Sequence, residues 1–269
     1  MQWLELTSER FGDAVKESGG LCLLPLAVIE RHGSHLPVGT DQITADTVVK
    51  QAAEEEPAVV FPSYYFGKIF TAKQFPGTLA LTRKLLLPLL EATIEEIARN
   101  GFRKILIANG HGGNRSMLDF FLRTLLEEPR GYVVYATHYY DLEGEALERW
   151  RQMRDSDFGG HADEGETSAM LHMRPDLVRM EAMTEPEDGR SRGRTDHLAG
   201  LNTSVMWYAD HPTHYAGDAR TATAEKGRFL FRAFVDKVVK QMRAIKADGI
   251  TPAVQQEFYR QTQHPHGEE

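Results

Sequence analysis

The sequence predicts an α/β fold: a single domain with a mostly parallel central sheet flanked by helices. Short runs rich in Val, Ile and Leu are apolar at consecutive positions, which is typical of strands buried on both faces. Segments with the apolar spacing of helices separate these runs, and such alternation favours a parallel sheet with helical crossovers. A chain of 269 residues is long enough to bury roughly three-quarters of its unfolded surface.

The elements can be placed in chain order. Predicted strands occupy residues 21–29, 58–62, 104–109 and 131–138. Predicted helices occupy residues 42–56, 84–101, 114–128, 142–155 and 221–245. The Asn-Gly pair at 100–101 ends the second of these helices, because glycine readily adopts the backbone conformation of a helix C-terminus.

The rest of the chain predicts one domain and a short extension. Residues 1–250 form the domain, and residues 251–269 are expected to be a polar C-terminal tail. A Gly/Arg/Asp-rich stretch at 185–202 is expected to be an ordered surface excursion or an oligomer contact rather than a linker.

Composition narrows the classes of function. The formal net charge is −8, which argues against nucleic-acid or membrane-surface binding driven by bulk charge. The first residues lack the basic and apolar segments of a signal peptide, and no apolar run approaches the ~20 residues that span a bilayer. The single cysteine, Cys22, lies in an apolar run and cannot form an internal disulfide. A reducing cytoplasm is therefore the expected location.

The first polar cluster follows the first predicted strand, in the text "VIERHGSHLPVGTD". Glu30 and His32 are two residues apart, so in an extended segment their side chains point to the same side. Asp41 follows a Gly-Thr turn and opens the next helix. Two carboxylates and an imidazole that converge on one point form a ligand set for Zn²⁺ or Mn²⁺.

The second cluster, "ANGHGGN" at 108–114, follows the third predicted strand. Its glycines permit a tight loop from which His111 projects. A phosphate-binding loop is the rival interpretation, but neither G-x-G-x-x-G nor the Walker lysine is present.

The third cluster, "GGHADEGETSAML" at 159–171, contains His161, Asp163, Glu164 and Glu166. Asp163 followed three residues later by Glu166 is also the pattern of a helix cap, and spacing alone favours capping and function equally. Functional residues of doubly wound sheets gather past the carboxyl ends of the strands, and these clusters lie at element junctions. Together they favour a metal site.

These segments resemble the creatininase family of metal-dependent amidohydrolases. The matching text is "LPLAVIERHGSHLPVGTD", "FPGTLALT", "NGHGGN", "HADEGETSAML" and "YAGDARTATAEKG", in family order from about residue 20 to residue 230. The resemblance implies a creatininase-like sandwich fold, a homohexamer and a centre of two divalent cations, with Zn²⁺ or Mn²⁺ expected and Fe²⁺ allowed.

Carried over position by position, the resemblance implies that Glu30, His32, Asp41 and His111 are metal ligands, with Asp41 as the bridge. Creatinine-hydrolysing members supply a further carboxylate two residues after the matching histidine, where this chain has Gly113. Glu166 is expected to replace it, with Glu164 in reserve.

The resemblance further implies proton transfer by His161, assisted by Glu164 if that residue is not a ligand. His35 is expected either to support a ligand or to be structural. Arg31 is expected to face away from the ligands, in a structural or interface role.

The implied activity is hydrolysis of a C–N bond in a small amide, cyclic amide or formamide by metal-activated water. Creatinine itself is disfavoured, because Gly160 stands where creatinine-hydrolysing members carry a glutamate and Phe158 is the only aromatic residue in that neighbourhood. Similar members include formamide hydrolases and a peptide-trimming hydrolase. Two alternatives remain: a lyase or isomerase acting on a sugar-like substrate with the same centre, and a metal site that only stabilises the fold.

Overall fold

The structure, a computed structural model, describes residues 1–183, 189–263 and 265. Its strands form one four-stranded parallel sheet in the order β2-β1-β3-β4. The strands are β1 (Leu21–Leu26), β2 (Val59–Val60), β3 (Lys104–Asn109) and β4 (Val133–His138). The predicted fold class is confirmed.

Helices cover both faces of this sheet. They are α1 (Ser8–Glu17), α2 (Thr40–Glu55), α3 (Arg83–Arg99), α4 (Arg115–Thr124), α5 (Gly144–Met153), α6 (Glu164–Met173), α7 (Met206–Asp210), α8 (Ala224–Ala247) and α9 (Ile250–Gln263). None of the helices in the described part of the chain is both long and apolar enough to cross a membrane.

Alternation along β1 explains why its sequence is apolar throughout. Leu21 and Leu23 pack with α2 and α8 in one core cluster. Cys22 and Leu24 point to the opposite face and pack with α1, α3 and α4 in a second cluster. Fully burying a leucine side chain contributes about 1.5–3 kcal/mol to folding, so both faces stabilise the domain.

The predicted first strand is too long, because β1 ends at Leu26 rather than at residue 29. Beyond that point the backbone bonds to a loop instead of a neighbouring strand: Ala27 N donates to Tyr64 O at 3.1 Å, and Gly67 N donates to Ala27 O at 3.1 Å. Because the strand ends early, the residues that follow it form a loop at the carboxyl edge of the sheet, and this loop carries the first polar cluster.

Much of the segment predicted to be a polar tail is instead helix α9. The helix packs beside β4: Gln255 Nε2 donates to Tyr132 O at 2.9 Å, and the buried Tyr259 hydroxyl donates to Leu125 O at 3.1 Å. Few apolar residues mark this contact, so composition alone did not reveal it. Of the predicted tail, residues 264 and 266–269 lie outside the described residues, as do residues 185–188 of the Gly/Arg/Asp-rich stretch.

Candidate metal centre

The loop after β1 folds back on itself and brings the first cluster together. Glu30 N donates to Val38 O at 2.9 Å, and Leu36 N donates to His32 O at 3.3 Å. Between them Gly33 has a φ of 60°, a left-handed conformation that glycine adopts without strain. The loop therefore returns the chain to the start of α2, where Asp41 lies in the first turn.

His32 is held between two acceptors, which makes it a candidate ligand. Its Nδ1 lies 3.2 Å from Glu30 O, and its Nε2 lies 2.9 Å from Asp41 Oδ1. Neither partner can donate, so the ring carries both protons unless a cation replaces the proton on Nε2. Burial opposes the charged ring, but the Asp41 carboxylate outweighs burial and raises the pKa of His32 to about 10.

His111, from the loop after β3, contacts the second carboxylate oxygen of Asp41. Its Nδ1 lies 2.9 Å from Asp41 Oδ2 and 2.9 Å from Glu30 Oε1. One ring nitrogen can donate only one proton, and Glu30 Oε1 is a buried oxygen without a hydrogen bond among the described residues. A cation shared by these atoms would satisfy the oxygen that is left over, so the geometry fits a metal ion.

The third cluster turns out to cap a helix and to supply a candidate ligand. Asp163 accepts hydrogen bonds from Gly165 N at 2.9 Å and Glu166 N at 3.0 Å, so the capping interpretation is correct for Asp163. Glu166 reaches back to Ala162 N with one oxygen, which also lies 3.8 Å from His32 Nε2. Desolvation raises the pKa of Glu166 to about 8.

His161 contacts the same centre through Nδ1. Its Nε2 lies 2.7 Å from Arg31 O, and because a carbonyl only accepts, the proton is on Nε2. Nδ1 therefore offers a lone pair toward Glu30 Oε1, 4.0 Å away. Burial lowers the pKa of His161 to about 3, and the neighbouring His32 adds to this effect, so the ring is neutral.

Glu164 is not brought to the centre. Its carboxylate is buried against Lys226 and accepts hydrogen bonds from Asp155 N at 3.0 Å and Ser156 N at 2.8 Å. A buried ammonium therefore already occupies the oxygens of Glu164, and this residue is in none of the groups of potential ligand atoms among the described residues.

His35 and Arg31 lie beside the centre in other roles. His35 Nε2 lies 2.8 Å from Thr167 Oγ1, which ties the loop after β1 to α6. The Arg31 guanidinium lies 4.6 Å from the centre of the Phe75 ring.

His214 is a functional candidate that sequence reasoning missed. It is buried, and its Nε2 lies 2.6 Å from Glu30 Oε2. It also has a φ of 58°, an unusual left-handed conformation for a residue other than glycine. A signal was available, because His214 immediately precedes the family-like text "YAGDARTATAEKG".

Potential ligand atoms fall into overlapping groups, within each of which they lie at most 4.8 Å apart. The groups are Glu30, His32 and His161; Glu30, Asp41 and His111; and His32, Asp41 and Glu166. Imidazoles and carboxylates without a thiolate are typical of catalytic rather than structural zinc sites, and they also suit manganese.

A cavity of about 660 Å³ opens on these groups. Asp41, Gly110 and Glu166 line it on the side of the centre. The lining also includes a set of large apolar side chains, namely Leu142, Leu147, Trp150, Leu230 and Phe234. The cavity can therefore admit a substrate that carries an apolar group.

Comparison with known proteins identifies the family. A sequence model of the creatininase family, described as creatinine amidohydrolase, matches residues 4–242. The creatinine amidohydrolase of Pseudomonas putida is 25% identical over 257 residues, which cover 89% of this chain and 95% of that protein.

Two further relatives are named for different activities. The mycofactocin precursor peptide peptidase of Mycolicibacterium smegmatis is 28% identical over 240 residues, covering 85% of this chain and 86% of the relative. The 3-dehydro-scyllo-inosose hydrolase of Thermotoga maritima is 23% identical over 263 residues, covering 89% and 82%.

Solved creatininases share the fold. A form named creatininase Mn aligns with a TM-score of 0.75 and 24% identity, covering 92% of this chain and 99% of that one. A mutant creatininase of Zn-Zn type aligns with a TM-score of 0.73 and 24% identity, covering 92% and 98%.

Proposed function

Because this chain belongs to the creatininase family and is therefore a hydrolase, we propose that it cleaves a C–N bond in a small amide, cyclic amide or formamide. One observation carries the proposal: Asp41 is held between His32 and His111 beside an unsatisfied buried oxygen of Glu30, at the wall of a substrate-sized cavity.

We propose that these residues hold divalent cations. The residues that would hold them are Glu30, His32, Asp41, His111 and Glu166. The two oxygens of Asp41 face different imidazoles, so its carboxylate is central to this set. Zn²⁺ and Mn²⁺ suit these donors best, and Fe²⁺ is compatible with them. When bound, such cations supply Lewis acidity that activates water and polarises a carbonyl.

The neutral His161 ring is placed to move a proton. Its Nδ1 faces the centre while Nε2 is committed to Arg31 O, so Nδ1 is the atom that accepts a proton from the attacking water. Returning this proton to the departing nitrogen completes cleavage, since an amide nitrogen leaves readily only when protonated. Glu164 takes no part, because it is paired with Lys226.

The cavity favours an amide larger than creatinine. Its volume of about 660 Å³ lies in the range of sites for drug-sized ligands, and its apolar wall would bury a hydrocarbon or aromatic group. The exposed Arg154 also lines the cavity and would attract an anionic group on the substrate.

Two other substrate classes follow from the relatives. The peptidase named for a mycofactocin precursor makes a peptide amide a second candidate, and the cavity has room for a short peptide end. The hydrolase named for 3-dehydro-scyllo-inosose makes a sugar-like compound a third candidate substrate. A lyase or isomerase that uses the same metal ligands would also accept such a compound.

The test is a substrate screen with metal-loaded protein. Purified chain is stripped with a chelator, reloaded separately with Zn²⁺, Mn²⁺ or Fe²⁺, and assayed on formamides, cyclic amides, N-acyl amino acids and short peptides for release of formate, ammonia or amine. We expect turnover that disappears with Asp41→Asn. Turnover of a sugar-like substrate without C–N cleavage would contradict the proposal, and melting of the fold on chelation would indicate a structural metal.

The family resemblance also predicts a homohexamer. Light scattering coupled to size-exclusion chromatography measures the mass of the assembly directly, and a monomer of 30.4 kDa would contradict this expectation.

A further inference from the structure

Tyr139 lies at the same sheet edge as the candidate ligands but has no role so far. It directly follows His138, the last residue of β4, and its side chain is only 1% exposed. The ring packs edge-on against Phe234 at 5.6 Å and Tyr140 at 5.8 Å between ring centres. These contacts fix the direction in which the hydroxyl points.

The hydroxyl of Tyr139 has no hydrogen-bond partner among the residues that the structure describes. This oxygen is not among the polar atoms that are sealed from solvent, so it is open to a partner that enters the cavity. The Tyr64 hydroxyl is also unpaired, but it is sealed inside the core. Tyr139 differs because it lines the cavity next to the metal centre.

Gly110 shows where this hydroxyl lies relative to the backbone of the metal centre. A Cβ atom added at Gly110 would lie 2.8 Å from the Tyr139 hydroxyl oxygen and 2.9 Å from Asp41 O. The hydroxyl therefore occupies the space over the glycine that precedes His111, beside the start of α2. Any side chain at residue 110 would push the hydroxyl away from this position.

The hydroxyl keeps its proton here and is therefore able to donate a hydrogen bond. Burial raises the pKa of Tyr139 well above its usual range, and the charges of Asp41 and Glu166 raise it further. A phenol that keeps its proton and lacks a partner in the protein can donate to a group that enters the cavity.

We propose that Tyr139 is a catalytic residue whose hydroxyl donates a hydrogen bond to the substrate carbonyl oxygen as negative charge develops on it. This inference rests on the proposed function, because it assumes attack of water on a carbonyl carbon. The hydroxyl needs no reorganisation at that moment, since its ring is fixed by packing, and a preorganised donor of this kind typically contributes about 100- to 1000-fold to kcat.

The decisive variant is Tyr139→Phe, with Tyr135→Phe as its matched control. Tyr135 lies in β4, the strand that ends just before Tyr139, but its hydroxyl donates to Asp248 Oδ2 at 2.9 Å and its side chain does not line the cavity. With the substrate found in the screen, we expect Tyr139→Phe to lower kcat about 100-fold with little change in KM. Metal content should be unchanged and the melting temperature unchanged or higher, because the lost hydroxyl made no hydrogen bond.

A binding measurement tests the same hydroxyl without turnover. Methylphosphonate resembles a tetrahedral oxyanion, and we expect its Kd for the zinc-loaded protein, measured by calorimetry, to rise about tenfold in Tyr139→Phe but not in Tyr135→Phe. Unchanged kcat, or a rise in KM alone, would overturn the proposal. So would equal phosphonate affinity of wild type and variant, whichever bond the enzyme cleaves. Absence of C–N cleavage by the wild type would instead overturn the proposed function, while the phosphonate measurement would still decide the role of Tyr139.

Discussion

His214 Nε2 lies 2.6 Å from Glu30 Oε2, and the opposite nitrogen of the same ring, Nδ1, lies 2.8 Å from Trp207 Nε1. An indole N–H can only donate, so Nδ1 accepts and the ring proton must be on Nε2. His214 therefore donates to Glu30 and fixes which carboxylate oxygen faces the metal centre. This chain of Trp207, His214 and Glu30 resembles the carboxylate and histidine partners that orient ligands in known metal sites.

Replacing His214 should weaken metal binding without changing a ligand. We expect His214→Asn to lower the affinity for Zn²⁺ about 10- to 100-fold, because Glu30 loses the donor that orients it. Asparagine suits the test, since it tolerates the left-handed backbone at this position. The measurement is chelator competition at fixed pH.

His211→Asn is the matched control, because His211 packs on Trp207 at 4.8 Å between ring centres without bonding to Glu30. Equal affinities of the two variants would show that Glu30 needs no partner to bind metal.

The glycines of "NGHGG" provide a second test of the ligand geometry. A Cβ atom added at Gly113 would lie 2.4 Å from His111 Nε2, whereas one added at Gly112 would meet nothing within 4 Å. The His111 ring cannot simply swing away, because its Nδ1 faces Asp41 and Glu30. If His111 is a ligand, we therefore expect Gly113→Ala to lower the affinity for zinc about tenfold. The zinc content of the purified variant, measured by elemental analysis, should fall as a result.

Gly112→Ala should bind zinc as the unmodified chain does. Normal zinc content in Gly113→Ala would mean that His111 is not a ligand or that its loop adapts freely.

Substitutions of Glu166 and Glu164 should have different effects, one on metal binding and the other on stability. Glu166→Gln is expected to lower the number of bound ions per chain, because a neutral amide is a weaker ligand than a carboxylate. Glu164→Gln should keep its metal but lose about 1–3 kcal/mol of unfolding free energy, since Lys226 then lacks its buried carboxylate. Elemental analysis and urea denaturation measure the two effects. Loss of metal in Glu164→Gln, with normal metal content in Glu166→Gln, would mean that Glu164 is the ligand.

The sheet could be predicted from the sequence because strands that are buried on both faces have continuous apolar runs. The sequence also predicted that Glu30, His32, Asp41 and His111 converge, and they do lie together beyond the carboxyl ends of β1 and β3, where parallel strands bring distant loops close. Their role as ligands stays a prediction. The sequence favoured Glu166 over Glu164 only through the family resemblance, because the contact that sets Glu164 apart is with Lys226, 62 residues away in sequence. His214 was missed for the same reason, since its contact with Glu30 spans 184 residues.

Metal binding should release protons, because the metal-free imidazoles hold them. Asp41 raises the pKa of His32 to about 10 against the opposing effect of burial, and Glu30 and Asp41 do the same for His111. Near pH 7 both rings are therefore protonated before the metal binds, and a cation must displace those protons. Exposed histidines with ordinary pKa values near 6.5 would release only about a quarter of a proton each.

Calorimetry of zinc binding in buffers of different ionisation enthalpy measures this release. We expect more than one proton per chain near pH 7 and an affinity that rises as pH is raised from about 6 to 8, because fewer protons then compete with the metal. In His111→Ala, which removes one protonated ring, the release should fall by about one proton. An affinity independent of pH over this range would mean that the ligand imidazoles are neutral without metal, contrary to the close carboxylate contacts of His32 and His111.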